Sequence, residues 1–526
     1  RTFAALGYDG RPGTGAEAVI SVNAFGSSQT LDAGFSWEAR WLFDHWERYT
    51  QHTSLAAIGD NGLGYGTTIS GGASPGVIGV GAGTSQDYRV LYGNDGGNGS
   101  WELPVCPGPP PIDPADCYGI GSPFGPGPYG DILYTSSRGP TLLGTPKPDI
   151  VSIGGWAVEA GPLNTFGILP ADLDGNLALA ISGGTSVATG ATAGVVALMA
   201  QAYRATHGGV NPTNAFLKEA LKSGADDMHR DVLQQGAGWT NASRSVRMAA
   251  DIDYVSTDVD AWVPGGYLGV SRPAFVNFLT PGVPATTTVR LTNHNSFLAR
   301  SIEIFDAVYV QRAKFSWTFS LPTGTTNNYV LKPSGVYAGD GATLLQPLGL
   351  APHWSGADFA KITFTYNATA YTGSTAWRLD QFDWYDENGD GLYAGFTERN
   401  RMTVALAGGL ANSVWDTVYD LGRRVHDGLV LNPRSGAAAA IGATLIVEFY
   451  EKADWPWVQA SASTLNIPAG GNVTFLLGAM VPPGTPGGLY EGALYLRNPF
   501  LGTTTTVPIL INVPLTGPTV LLGGNV

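Results

Sequence analysis

The stretch ISGGTSVATGATAGVVALMAQAY, from Ile181 to Tyr203, constrains the fold more than any other part of the chain. Behind Ser186 run Val187, Ala188, Ala191, Ala193, Gly194, Val195, Val196, Ala197, Leu198 and Met199. A helix that is apolar on every side has to be buried. Small side chains all round let a sheet approach its axis closely. Gly183 and Gly184 make a sharp turn before it inexpensive. The pattern predicts a central helix from Ser186 to about His207, packed on a sheet.

The sheet is legible around it. EAVISVNAFG reads as a buried strand from Ala18 to Phe25. A helical pattern follows, with Trp41, Leu42, His45, Trp46 and Tyr49 at helical spacing. TSLAAIGDNG, PGVIGVGAGT and KPDIVSIGGWAV are further strand-like runs, and PTNAFLKEALKSGA starts on a Pro and ends at a Gly, as a second helix would. Alternating strands and helices predict an α/β layer with a mainly parallel sheet and helices on both faces. From about residue 252 the helical period fades. TTTVRLTN, KITFTYNATAY, TVALAGG, TLIVEFYE, NVTFLLGAMV, GALYLRN and TVPILINV are β-branched or aromatic runs between Gly/Pro turns, the pattern of antiparallel sandwiches. The expected division is 1–250 for the α/β part and 251–425 and 426–526 for two sandwich modules. Those modules serve packing and spacing, or else substrate holding or anchoring at a cell surface.

Only 13% of the 526 residues are charged and the net charge is −14. Without clustered Lys and Arg the chain has no footprint for nucleic-acid phosphates. Few charges and many Thr, Ser, Gly, Trp and Tyr suggest a secreted or surface protein. The two cysteines, Cys106 and Cys117, bracket a Pro-rich loop. They read as a disulfide in an oxidising compartment, or else as two unrelated thiols. Four sequons, at Asn98, Asn241, Asn367 and Asn472, add weak support for secretion. No uninterrupted run of about 18 apolar residues is present. No signal peptide opens the chain, so targeting segments have been removed or this is one piece of a longer precursor.

A serine in the first turn of a buried helix sits where the positive helix end stabilises negative charge, and free N–H groups there can receive an oxyanion. A plain capping role is the bland alternative. The neighbouring residues favour the first. SGGTSVAT resembles the G-T-S-x-A-T serine motif of the subtilisin-like proteases (subtilases). SSRGPTLLGTPKPDIV, Ser136 to Val151, resembles the loop and strand that precede it in that family, and LKEALKSGADDM and GAGWTNASRSVR resemble the last helices of the domain. VISVNAFGSS resembles the substrate-binding strand and AAIGDNG the oxyanion strand. The resemblance runs in order over about residues 15–250; the β-rich tail and DWYDENGDG look like the large pyrolysin- or tripeptidyl-peptidase-like branch. It implies that Ser186 is the nucleophile and that its own N–H serves the oxyanion hole. It also implies that Ala24, Phe25 and Gly26 pair with an extended substrate and that Gly59 walls the specificity pocket.

Three departures stand out. The family's base and orienting carboxylate, His and Asp, normally precede the segment seen here. None of His45, His52, His207, His229, His294, His353 and His426 lies in an H-G-T-H context, and His45 and His52 suit packing or surface roles. The expectation is a two-chain enzyme in which an N-terminal chain of the same precursor supplies Asp and His. Secondly, Asp60 stands where Asn is usual, with Asn61 next. A carboxylate cannot donate to an oxyanion but a protonated Asp can, so either Asp60 is protonated or Asn61 donates. Thirdly, Gly190 and Ala191 replace the usual Pro and His, which shape the helix start rather than the chemistry.

DENGDGLYAGFTE sets Asp386, Asn388 and Asp390 at alternate positions before Gly391, half of a calcium loop, with Glu398 one residue late. An Asx-rich turn is the alternative. Asp172, Asp174 and Asn176 form a weaker candidate. The function expected is a secreted subtilisin-like serine endopeptidase acting on proteins or peptides; the rival is an inactive subtilase scaffold used in cell-surface binding or assembly.

Overall fold

The computed structural model describes residues 11, 14, 17–26, 36–61, 65–84, 132–133, 135–155, 157–160, 179–266, 277–321, 329–354, 356–366, 377–384, 399–407, 413–419, 428–434 and 441–515. Of 84, 157–160, 179–182, 321, 354 and 361–443 it describes the backbone alone. Strand β1 (Ile20–Asn23) leads through helix α1 (Trp37–Arg48) to β2 (Thr53–Ala57), followed by β3 (Ile78–Thr84) and β4 (Ile150–Gly155). These four strands form one parallel sheet in the order β1-β2-β3-β4. Its register sets Ile20 against Thr53, Leu55 against Ile78 and Val80 against Ile150. A short antiparallel pair, β5 (Ala157–Ala160) and β6 (Leu179–Ser182), delivers the chain to α2 (Thr185–Thr206). Helices α3 (Asn214–Ser223), α4 (Val232–Gln235) and α5 (Ala242–Ala249) complete this part.

Every residue of β2 is buried, as a strand covered on both faces requires. Adjacent side chains of a strand point to opposite faces. Leu55 accordingly joins the core that contains Ala188, Val196 and Met199 of α2 and Leu217 and Leu221 of α3. Its neighbour Ala56 packs with Leu42 of α1 and Val77. Helices therefore cover both faces, as the sequence pattern predicts. α2 is long and apolar enough to cross a membrane by length and composition. One face of it, with Ala188, Val196 and Met199, packs in the core, while Ala197 and Leu198 are exposed.

The remaining elements are mainly strands. They are β7 (Val255–Thr257), β8 (Ala285–Asn293), β9 (Arg300–Leu321), β10 (Tyr329–Lys332), β11 (Gly335–Ala338), β12 (Leu344–Pro347), β13 (Phe359–Tyr366), β14 (Trp377–Trp384), β15 (Arg399–Ala407), β16 (Ser413–Tyr419) and β17 (Gly428–Arg434). After them come β18 (Ile441–Ala453), β19 (Val458–Ala460), β20 (Thr464–Ile467), β21 (Asn472–Ala479), β22 (Gly488–Asn498) and β23 (Thr503–Val513). The expected division at residue 425 does not follow their pairing. β8 pairs with β21, and the 22-residue β9 pairs with β18, β20 and β22. One sandwich is thus assembled from strands on either side of 329–434, around Val289, Leu291, Ile302, Phe475, Leu494 and Ile509. β10, β11, β12, β14, β15 and β17 form a sheet of their own between those halves. Long-range pairing of this kind leaves no mark on a linear pattern of strands and turns.

Candidate active site

Ser186 is the second residue of α2. Its N-cap, Gly184, has φ +118° and no side chain to cap the helix. Its positive φ favours glycine. A Cβ on Gly184 would lie 3.1 Å from Asp60 Oδ2, in a left-handed conformation that L side chains rarely adopt. The Gly184 N–H donates to the Gly154 carbonyl of β4 at 2.5 Å, which pins the helix start to the sheet. The Ser186 hydroxyl then projects toward the end of β1 and donates to the Ala24 carbonyl at 2.6 Å.

The cap that Gly184 lacks is supplied across the fold by Asp60. Its Oδ1 accepts from the Thr185 N–H at 2.9 Å and its Oδ2 from the Thr185 hydroxyl at 3.2 Å. The Thr185 Oγ1 in turn accepts from the Gly59 N–H at 3.3 Å. Asp60 as a residue is exposed, yet its carboxyl lies against the helix start. Loss of water there pushes its pKa above the usual carboxylate value, more than the two Thr185 bonds pull it down. The open side of the residue limits the size of that shift. Asn61 is held differently: its N–H donates to Ser137 Oγ at 3.1 Å. Of the two oxyanion candidates, Asp60 is the one joined to the residue that precedes Ser186.

Ala24, Phe25 and Gly26 continue from the edge strand β1 as exposed chain, with Phe25 70% exposed. A Cβ on Gly26 would run into Ile69. Gly59, at φ +113°, has Ile69 Cγ2 and Ser137 Oγ within 2.8 Å of where a Cβ would stand. Gly26 and Gly59 thus flank Ile69 from two elements, and the positive φ of Gly59 favours glycine there.

The described histidines are engaged elsewhere. His52 is buried, with Nδ1 2.7 Å from the Ala18 carbonyl and Nε2 3.0 Å from Ser21 Oγ. His45 is buried and stacks on Trp41. Both pack the interior, so the surface alternative for them falls away. His207 and His294 contact Asp251, His229 lies near Asp227, and His353 packs on Phe449. His426 lies outside the described residues, as do Cys106, Cys117, Asn98 and Asn367. So do the calcium candidates Asp386, Asn388, Asp390 and Glu398, the weaker set Asp172, Asp174 and Asn176, and most of the branch-like stretch after Trp384. Among the described residues no group of three or more His, Cys, Asp or Glu is arranged to hold a metal ion. Asn472 is exposed at the start of β21. Asn241 is a poor carbohydrate acceptor, because it caps α5 by accepting from the Arg244 N–H and donates to Asp226.

A second charged assembly escaped the sequence reading. Asp149, 3% exposed, accepts from the Gly79 N–H at 2.7 Å and from Lys147 Nζ at 2.5 Å. Lys218 and Lys222 reach its other oxygen at 3.1 and 3.4 Å and share Asp260. The only linear signal was the pair of charges in KPDIV at the start of an otherwise apolar strand. Two of the three lysines come from α3, about seventy residues later.

Residues 8–240 match the model of the subtilase family of peptidases (Peptidase S8). Over these residues the chain is similar to the subtilase family. The match covers the parallel sheet, Asp60 and Ser186 and stops short of the β-rich region. Comparison with curated proteins gives no match. Among solved structures, a crystal structure of a lanthipeptide protease aligns with TM-score 0.29 and 16% identity. The overlay covers 44% of this chain and 61% of that one, so this chain spans less than two thirds of its length. The N-terminal endo-1,4-beta-D-xylanase modules of Clostridium thermocellum, complexed with xylohexaose, align with TM-score 0.14 and 10% identity over 28% of each chain. Overlays this loose say nothing of function.

Proposed function

We propose that the chain carries the nucleophile of a secreted subtilisin-like serine endopeptidase. Ser186 attacks the carbonyl of a peptide laid along Ala24–Gly26. An acyl enzyme forms as the amine leaves, and water then releases it. The base and its orienting carboxylate, His and Asp, come from an N-terminal chain of the same precursor. What supports the reading is one arrangement: a helix-start serine hydroxyl 2.6 Å from the Ala24 carbonyl, beside a carboxyl clasped by Thr185. The N–H groups of the first helical turn and a protonated Asp60 are the donors for the oxyanion.

A fluorophosphonate probe applied to native material tests this. Labelling at Ser186 is expected, and intact mass should find an N-terminal partner chain in the active preparation. Clean non-labelling of the native complex would instead favour an inactive scaffold. Asp60 accepting both Thr185 bonds is the observation that favours that second reading, since an ionised carboxylate in the hole repels the oxyanion.

Asp60 also sets the pH response. Its donor form is the protonated one, populated below its raised pKa, so turnover should fall as pH rises through that value. Asn donates at every pH. Asp60→Asn is expected to raise turnover at neutral pH by roughly tenfold or more, within the 10²–10³ that one oxyanion donor is worth. It should also flatten the acid-favouring profile of kcat/KM. Unchanged turnover, with loss of activity in Asn61→Ala, would assign the role to Asn61.

A further inference from the structure

The space beside Ser186 lies between two walls tied to the start of α2. The Ala24 carbonyl accepts from the Ser186 hydroxyl at 2.6 Å, and the Gly59 N–H donates to Thr185 Oγ1 at 3.3 Å. One wall is therefore the exposed chain Ala24–Gly26, and the other is the turn beyond β2. Both carry glycine, so on their own they would leave room for a broad side chain. Ile69 takes up that room. A Cβ added to Gly26 would collide with Ile69 Cδ1 and lie 3.0 Å from its Cγ1. One added to Gly59 would lie 2.7 Å from Cγ2 and 3.1 Å from Cγ1. Both branches of the side chain are used, one against each wall, and 6% of the residue is exposed.

Ile69 is fixed in place. Its N–H donates to the Ile58 carbonyl at 2.9 Å, and its own carbonyl accepts from the Ala73 N–H at 3.1 Å. Two residues on, a Cβ at Gly71 would lie 3.4 Å from Ala56 Cβ and 3.8 Å from the Phe25 carbonyl, so the turn after Ile69 packs against the same two elements. A β-branched side chain is also stiff at χ1. We propose that Ile69 sets the substrate class of the Ser186 site: it restricts the residue that donates the attacked carbonyl to Gly, Ala or Ser. The assignment rests on the endopeptidase reading above and names what that site accepts.

A peptide added as a strand along Ala24–Gly26 is held by its main chain, and the recesses that receive alternate side chains choose its sequence. The side chain beside the attacked carbonyl enters between Gly26 and Gly59, because those walls lead to Ser186 and to Thr185 next to it. A hydrogen or one small group fits above Ile69. Leu or Phe has to push Ile69 aside, and Ile69 has Gly26 on one flank and Gly59 on the other. Extra carbons forced into filled space strain the side chains and backbone around them. A charged side chain fares no better there, since Ile69 offers it carbon alone and no hydrogen-bond partner. The two glycines taken by themselves suggest a site for large residues; the side chain between them reverses that.

The test uses the native enzyme and peptides identical except at that one residue, which is Ala, Val, Leu or Phe. One methylene too many in a filled pocket costs about 10–200-fold, so kcat/KM for the Ala peptide should exceed that for Leu and Phe by at least about tenfold. Ile69→Gly clears the space and should raise the Phe-to-Ala ratio of kcat/KM by roughly a hundredfold. If that variant does not fold, Ile69→Val removes Cδ1 alone and should raise the Leu-to-Ala ratio by roughly tenfold. A ratio is insensitive to the fraction of folded enzyme, because both peptides report on the same active molecules. Wild-type preference for Leu or Phe, or ratios that the variants leave unmoved, overturns the role of Ile69 while fluorophosphonate labelling of Ser186 keeps the nucleophile. A wild-type Ser186 that does not label removes the endopeptidase reading, and the specificity falls with it.

Discussion

Ser186→Ala is expected to lower peptide hydrolysis by the native enzyme at least about 10⁴-fold, and to abolish fluorophosphonate labelling. The serine hydroxyl is the one atom in the proposed mechanism with no substitute. The N–H donors of the first helical turn survive the change, as does the carboxyl of Asp60, so only the residual catalysis of an oxyanion site should remain. Folding should be little affected. The lost bond to the Ala24 carbonyl is a single partly exposed hydrogen bond, worth about 1 kcal/mol. Turnover of a peptide substrate and a thermal melt, measured on the same preparation, separate the two. Activity within tenfold of wild type would remove Ser186 from the chemistry.

The largest stability effect is expected at Asp149. Asp149→Asn leaves three lysines under 10% exposed: Lys218 and Lys222 keep Asp260, while Lys147 keeps only the Val77 carbonyl. Asp260 is 39% exposed and a weaker counter-charge for it. Breaking a buried ion pair from one side costs about 3–5 kcal/mol, because the remaining charge stays buried without compensation. A denaturant melt should register that loss; a change under about 1 kcal/mol would mean that the lysines find water. Removing the orphaned charge as well, with Lys147→Met in the same background, should recover part of it. The pH dependence follows from the carboxyls. Burial raises the Asp149 pKa, but the three lysines outweigh it and hold the group far below the usual range; Asp260 is pulled down to about 2. A depressed carboxyl contributes stability above its unfolded value of 3.8 that is lost as pH falls below it. Acid should therefore loosen this cluster before the apolar core. Lys147 acts in the same direction in a higher pH window. Burial lowers it to about 8, so its contribution improves as pH rises from 8 toward 10.5.

Much of this was open to inspection in the primary structure. The small-residue run predicts a helix buried all round; α2 forms there but buries one face, with Gly190, Gly194, Ala197 and Leu198 exposed. The strand-like runs TSLAAIGDNG and KPDIVSIGGWAV predict strands of a mainly parallel sheet, and they supply β2 and β4 of one. Ser186 stands out through its motif and Asp60 through its register. The misplaced division at residue 425 has a physical origin. β-strand patterns record which face is buried and not which strand is the partner, so β8 could not be matched to β21 almost two hundred residues away. The capping role of Asn241 was hidden for a similar reason, since N-x-S says nothing about a helix cap until the helix exists.

Local sequence therefore determined where helix, strand and the candidate serine fall along the chain, because periodicity, backbone permissiveness and motif are properties of neighbours. What the tertiary structure decided is the set of charges. Asp60 caps a helix 125 residues away, Asp149 gathers lysines from α3, and Asp251 joins His207 to His294. A carboxylate's role is set by the donors that reach it and the water excluded from it, and both exist only once distant segments pack.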